Sequence, residues 1–162
     1  MEKKSQEISW EEYSGVGELK PAAKKLFEKA REISASAYAP YSRFYVGAAL
    51  ELEDGTIITG NNQENAAYPS GLCAERVAIF YAHAHHPKKP IKRIAVFATL
   101  QDGETGDSIS PCGACRQAMV EYEIKQQSPI EVIMGTSSGV IRIFSDVRSL
   151  LPLVFYEENL KK

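Results

Sequence analysis

Three stretches, Ile94-Ala95-Val96-Phe97-Ala98-Thr99-Leu100, Ser110-Pro111-Cys112-Gly113-Ala114-Cys115 and Ile130-Glu131-Val132-Ile133-Met134, follow one another along the chain. Their alternation decides the fold class. The first is a dense β-branched and aromatic run bounded by Pro90 and by Asp102-Gly103, and reads as a buried strand. In the second, Ser110 suits an N-cap and Pro111 a first helical turn, which predicts a short helix to about Tyr122. The third reads as another strand, and Gln101 to Ser110 as the loop between.

Working outward, Val46 to Leu52 and Thr56 to Gly60 read as two strands joined at Glu53-Asp54-Gly55, a hairpin signal. Pro21 opens a helical pattern in Leu26, Phe27, Ala30, Ile33 and Ala37 that Pro40 ends, and Cys73 opens another through Val77, Ala78 and Tyr81. Val140 to Phe144 reads as a last strand. Residues 1–20 are polar, with Ile8, Trp10 and Tyr13 as scattered anchors, and either an edge strand or an arm fits them. Strands alternating with helices imply an α/β layered domain with a mixed sheet.

At 162 residues the chain reads as one domain, long enough to bury roughly 70% of its unfolded surface. Lys and Arg number 19 against 21 Asp and Glu, so no basic excess exists to hold a polynucleotide. The polar start, Met1-Glu2-Lys3-Lys4-Ser5-Gln6-Glu7, lacks the apolar stretch of a secretory signal. No apolar run approaches the ~20 residues needed to span a bilayer. Reduced thiols fit a cytosolic setting. The expectation is a cytoplasmic protein with neither polynucleotide nor membrane as partner.

The chain has three cysteines: Cys73 in Cys73-Ala74-Glu75-Arg76, and the pair Cys112 and Cys115. Three thiolates fill three corners of a tetrahedral zinc and leave a fourth open, as a catalytic site does and a structural one does not. A redox dithiol would leave Cys73 and Glu75 without a role. A closed structural site needs a fourth donor, and His83, His85 and His86 sit together near the end of a predicted helix, where its partial negative charge favours them. Zinc with three thiolates carries a net charge of −1. Two helix N-termini at about +0.5 each nearly balance it, and Arg76 adds compensation by hydrogen-bonding a ligand thiolate, a surface salt bridge being its alternative. Glu75 as a fourth ligand would make the site inert. As a non-ligand it can take a proton from a metal-bound water and pass it to a substrate.

Three thiolates with a carboxylate that is not a ligand match a known signature of zinc-dependent nucleobase deaminases. Beyond it, the segments from Tyr38 to Ala49, Asn62 to Pro69, Gly71 to Arg76, Ser110 to Gln117 and Leu150 to Pro152 closely resemble the cytidine deaminase family, in order from about residue 21 onward. The all-cysteine ligand set is similar to the small homotetrameric branch.

The resemblance implies a three-layer α/β/α sandwich around a mixed five-stranded sheet, spanning 21–162 with residues 1–20 as an extension. It implies one Zn2+ per subunit on Cys73, Cys112 and Cys115, with Glu75 catalytic. Phe44 would pack on the pyrimidine, and Asn62 and Glu64 would bond the ribose 3′-hydroxyl. The Ala74 N–H would meet the 2-oxo group, and the Ser110 carbonyl the amino group. Ala66, Tyr68 and Phe155 would reach a neighbouring subunit's pocket within a homotetramer. Asn62 and Glu64, two apart, point the same way in an extended segment; a turn-forming Asn and a solvated Glu are their plain alternatives, as a core position is for Phe155. The implied reaction converts cytidine or 2′-deoxycytidine to the uridine counterpart plus ammonia, a step of pyrimidine salvage. Rivals are a deaminase of a nucleoside antibiotic such as blasticidin S, a silent zinc-binding module and a polynucleotide deaminase; Cys73 disfavours the last, since that class more often has histidine there.

Overall fold

The computed structural model describes residues 1–103, 109–137 and 139–160. Its strands are Glu11–Tyr13 (β1), Phe44–Leu52 (β2), Ile57–Asn61 (β3), Ile91–Leu100 (β4), Glu131–Thr136 (β5) and Ile141–Phe144 (β6). Its α-helices are Pro21–Ser34 (α1), Ala74–His85 (α2) and Gly113–Gln126 (α3). One mixed sheet runs in the order β1-β6-β5-β4-β2-β3, with β4 and β5 parallel and every other pair antiparallel.

Alternation along the strands builds two cores. Leu50, Ile94, Val96, Val132 and Met134 face α2 and α3, which contribute Ala78, Ile79, Met119 and Val120. Ala49, Ala95, Phe97 and Ile133 face α1, meeting Leu26, Phe27 and Ala30. The result is the expected α/β/α sandwich. The sheet, however, has six strands where five were expected. The sixth comes from residues 1–20: Glu11, Glu12 and Tyr13 pair with Ile143, Arg142 and Ile141. Trp10 stacks on Phe144 with ring centroids 5.6 Å apart, and Glu12 meets Arg142 at 2.9 Å.

Two helix ends also differ from expectation. Helix α1 stops at Ser34 because the N–H groups of Ser36 and Ala37 turn to carbonyls three residues back, while Asn61 Nδ2 takes the Ile33 carbonyl. Helix α3 runs past Tyr122 to Gln126 because Glu123 is buried and Gln126 is tied to the start of β4. The Gln126 amide accepts from the Ile91 N–H at 2.9 Å and donates to its carbonyl at 2.8 Å. Residues 104–108 of the expected 101–110 loop lie outside the described residues. Among those described, no helix is long and apolar enough to cross a membrane.

Glycines set both helix–sheet distances. A Cβ on Gly60 would sit 2.7 Å from Ala78 N and 2.8 Å from Ala74 O, so β3 and α2 touch backbone to backbone. On Gly47 it would lie 1.9 Å from Ala30 O in α1. Neither helix backbone can yield cheaply. Gly47→Ala and Gly60→Ala should each lower stability by about 2 kcal/mol or more, read as a lower urea midpoint with little change in slope.

Candidate metal centre and active site

Helices α2 and α3 begin beside each other, and each takes a cysteine as its N-cap. The first intrahelical bonds run from Val77 N to Cys73 O at 3.1 Å and from Arg116 N to Cys112 O at 3.0 Å. Cys115 lies one turn into α3 and is buried. Cys73 Sγ is 3.8 Å from Cys112 Sγ, which is 3.5 Å from Cys115 Sγ, and all three sulfurs lie within 4.8 Å of one another. All three cysteines are free. Two sulfurs each ~2.3 Å from one tetrahedral zinc are ~3.8 Å apart, against ~2.05 Å in a disulfide. The donor set and its spacing fit a zinc ion.

The electrostatics point the same way. The Cys73 thiol is brought down to about 5 by hydrogen bonds, first from Cys115 and then from Arg76 and Cys112. The Cys115 thiol is pushed up by its bond to Cys73, by burial and by the Glu75 charge. Three sulfurs this close cannot all be thiolates without added positive charge, which a dication supplies. Arg76 brings Nη2 to 3.8 Å from Cys73 Sγ. Its Nε is buried with no hydrogen-bond partner among the described residues.

Glu75, in the first turn of α2, is 4% exposed, and burial raises its carboxyl above the ordinary range. Its carboxylate is not among the mutually close donors, which are the three sulfurs alone. Ala74 supplies the first N–H of α2, one that no intrahelical carbonyl can take.

Phe44 is half-buried at the start of β2. Asn62 braces it: Oδ1 accepts from Val46 N at 2.8 Å and Nδ2 donates to Phe44 O at 2.9 Å. Glu64 Oε2 accepts from the N–H groups of Tyr41 and Ser42 at 2.9 and 3.3 Å. Its carboxyl is lowered by the Ser42 side chain first and then by these amides. Asn62 therefore faces the start of β2 and Glu64 the loop leading into it. Ala66 is exposed, Tyr68 is 73% exposed with its ring edge-on to Tyr41, and Phe155 is 60% exposed.

Sequence reasoning assigned nothing to three residues of α3 that the structure puts to use. Arg116 reaches Ser110, Pro111 and Leu150, while Gln117 Nε2 donates to Phe155 O at 2.8 Å. Buried Glu123 accepts from Ile130 N at 2.9 Å and Val147 N at 2.7 Å. The position of Arg116 and Gln117 directly after Cys115 was the one available signal.

Comparison with known proteins agrees with this centre. The family profile described as the cytidine and deoxycytidylate deaminase zinc-binding region matches residues 20–129. A cytidine deaminase of Halalkalibacterium halodurans is 40% identical over 135 residues, 83% of this chain and 95% of its own. One from Sporosarcina psychrophila is 40% identical over 136 residues, 84% of this chain and 93% of its own. The crystal structure of cytidine deaminase from Burkholderia pseudomallei is similar with TM-score 0.71 and 41% identity, covering 81% of this chain and 97% of that one.

Replacing Cys115 by Ala should abolish stoichiometric zinc, measured by atomic emission after gel filtration. Arg76→Gln should keep one zinc but release it at least tenfold faster to a chelator, because an uncompensated thiolate attracts protons. Unchanged release and unchanged turnover would remove Arg76 from the centre.

Proposed function

The chain belongs to the cytidine and deoxycytidylate deaminase family, and we propose that it hydrolyses cytidine and 2′-deoxycytidine to uridine and 2′-deoxyuridine with release of ammonia. The observation that carries this reading is the set of three sulfurs at two helix N-termini, with a buried carboxylate beside them that is outside the set. Cys73, Cys112 and Cys115 hold one zinc per subunit, which when bound supplies the Lewis acidity that lets a water lose a proton near neutral pH.

Glu75 moves the protons. It takes one from the attacking water and gives it to N3 as the C4–O bond forms. It then carries the remaining hydroxyl proton to the exocyclic nitrogen, which leaves as ammonia while C4 becomes a carbonyl. The Ala74 N–H holds the 2-oxo group and the Ser110 carbonyl accepts from the amino group. Phe44 covers the pyrimidine face, and Asn62 and Glu64 bond the 3′-hydroxyl. The bracing of Phe44 by Asn62, and of its approach loop by Glu64, supports a shared surface for ring and sugar.

The active form is a homotetramer with shared sites, to which Ala66, Tyr68 and Phe155 contribute across subunits. Exposure of Tyr68 and Phe155 supports this, since large apolar side chains left open invite a covering surface. The catalytic domain is 21–162 and residues 1–20 are an extension. The family match begins at residue 20, in keeping with that division. The enzyme works in the cytoplasm, in pyrimidine salvage.

Loss of cytidine, followed by ultraviolet absorbance with ammonia measured in parallel, tests the reaction. Glu75→Gln should retain zinc and lose at least about 100-fold in turnover; no reaction by the zinc-loaded wild type would refute the proposal. For assembly, light scattering should give four subunits. Phe155→Ala should raise KM for cytidine about tenfold with zinc retained.

A further inference from the structure

Arg116 follows Cys115 directly, and its side chain bonds Ser110, Pro111 and Leu150, none of them a sulfur. Its planar guanidinium carries five N–H donors in a fixed fork, and here the fork joins two separate segments. Nε donates to Pro111 O at 2.8 Å, Nη2 to Ser110 Oγ at 2.6 Å and Nη1 to Leu150 O at 2.9 Å. Pro111 has no amide hydrogen to donate, and the Arg116 side chain ties this segment through the Pro111 carbonyl and the Ser110 hydroxyl. The other end of the clamp is firm. Leu150 N bonds Val147 O at 2.9 Å, and Val147 N is in turn held by Glu123 of α3.

We propose that Arg116 is a positioning residue that fixes the Ser110 carbonyl against the exocyclic amino group and so separates substrate from product. The inference rests on the function proposed above and acts through Ser110, without contact between Arg116 and the nucleoside. A carbonyl oxygen at that place accepts a hydrogen bond from the 4-amino group of cytidine. Against the 4-oxo group of uridine it sets two acceptors face to face, which repel. Discrimination of this kind depends on where the oxygen is held. With the clamp gone, Ser110 and Pro111 lose two charge-assisted bonds and their tie to Leu150, and the carbonyl no longer stays in register. Lysine cannot replace the clamp, because one ammonium does not span three acceptors in a plane.

The experiment compares wild type, Arg116→Lys and Arg116→Met, measuring zinc content, KM for cytidine and the inhibition constant of uridine. Both variants should keep one zinc per subunit. KM for cytidine should rise about tenfold while uridine binding stays within twofold, so that discrimination collapses. Cytidine and uridine affinities weakening together, or neither changing, would overturn the proposal, since a purely structural brace would not tell the two bases apart. Should Arg116→Met fail to accumulate, Arg116→Lys decides the matter alone. A wild type that does not turn over cytidine would overturn the proposed function itself, and this inference with it.

Discussion

Three thiol sulfurs 3.5 to 3.8 Å apart along the chain of contacts from Cys73 through Cys112 to Cys115 are the constraint around which the sandwich is arranged. Thiolates at that spacing repel, so the site needs positive charge from a dication and from whatever the fold can aim at it. Two helix N-termini meet that need, each worth about +0.5 of a charge within its first turn. Bringing them together requires α2 to lie unusually close to β3, which the missing side chain of Gly60 allows. It also requires α3 to be pinned by Met119 and Val120 in the same core as Ala78 and Ile79. Chemistry and packing thus share one face of the sheet, while α1 on the other face stabilises without touching the site.

Most of the layer plan could be read from periodicity, because strands β2, β4 and β5 bury both faces and so appear as dense apolar runs. The metal ligands were legible for a different reason: three cysteines in two short contexts leave few chemistries open. What escaped was polar. Glu123, Gln126 and Arg116 on α3 look like the solvated side of a helix, yet each binds backbone outside its own helix. Periodicity treats a polar residue as exposed, and nothing local distinguishes a carboxylate in water from one that accepts two buried amides. The extent of α3 was underestimated on the same ground. The N-terminal strand has no local signature, because its three residues pair only with distant β6.

These side chains answer a common question about where irregular backbone finds its hydrogen bonds. Asn62 pairs with Phe44 O and Val46 N as a neighbouring strand would, and Gln126 does the same for both polar groups of Ile91. Among the described residues, the segment after β6 pairs with no strand. Glu123 holds its start at Val147, Arg116 its middle at Leu150, and Gln117 its further end at Phe155. All three belong to the helix that carries Cys112 and Cys115 at its N-terminus. The C-terminal segment is therefore registered to the metal helix by directional bonds, so its aromatic side chain has a defined place relative to the sulfurs.

The sixth strand shows why an addition to this fold need not disturb its chemistry. Strand β1 joins at β6, one edge of the sheet, whereas Asn62, Glu64 and α2 belong to the β2–β3 edge. Between them lie β5 and β4, whose backbone groups are satisfied on both sides. An exposed β6 would offer a row of unpaired N–H and C=O groups to any passing strand. Three residues of β1 cover that row, the Trp10 ring lies over Phe144, and Glu12 neutralises Arg142. A short, acidic new edge is a poorer template for further pairing than the one it replaces. The extension thus acts at the rim through β1 and in the core beneath α1 through Leu19, Tyr13 and Val16, on the face of the sheet opposite the sulfur cluster.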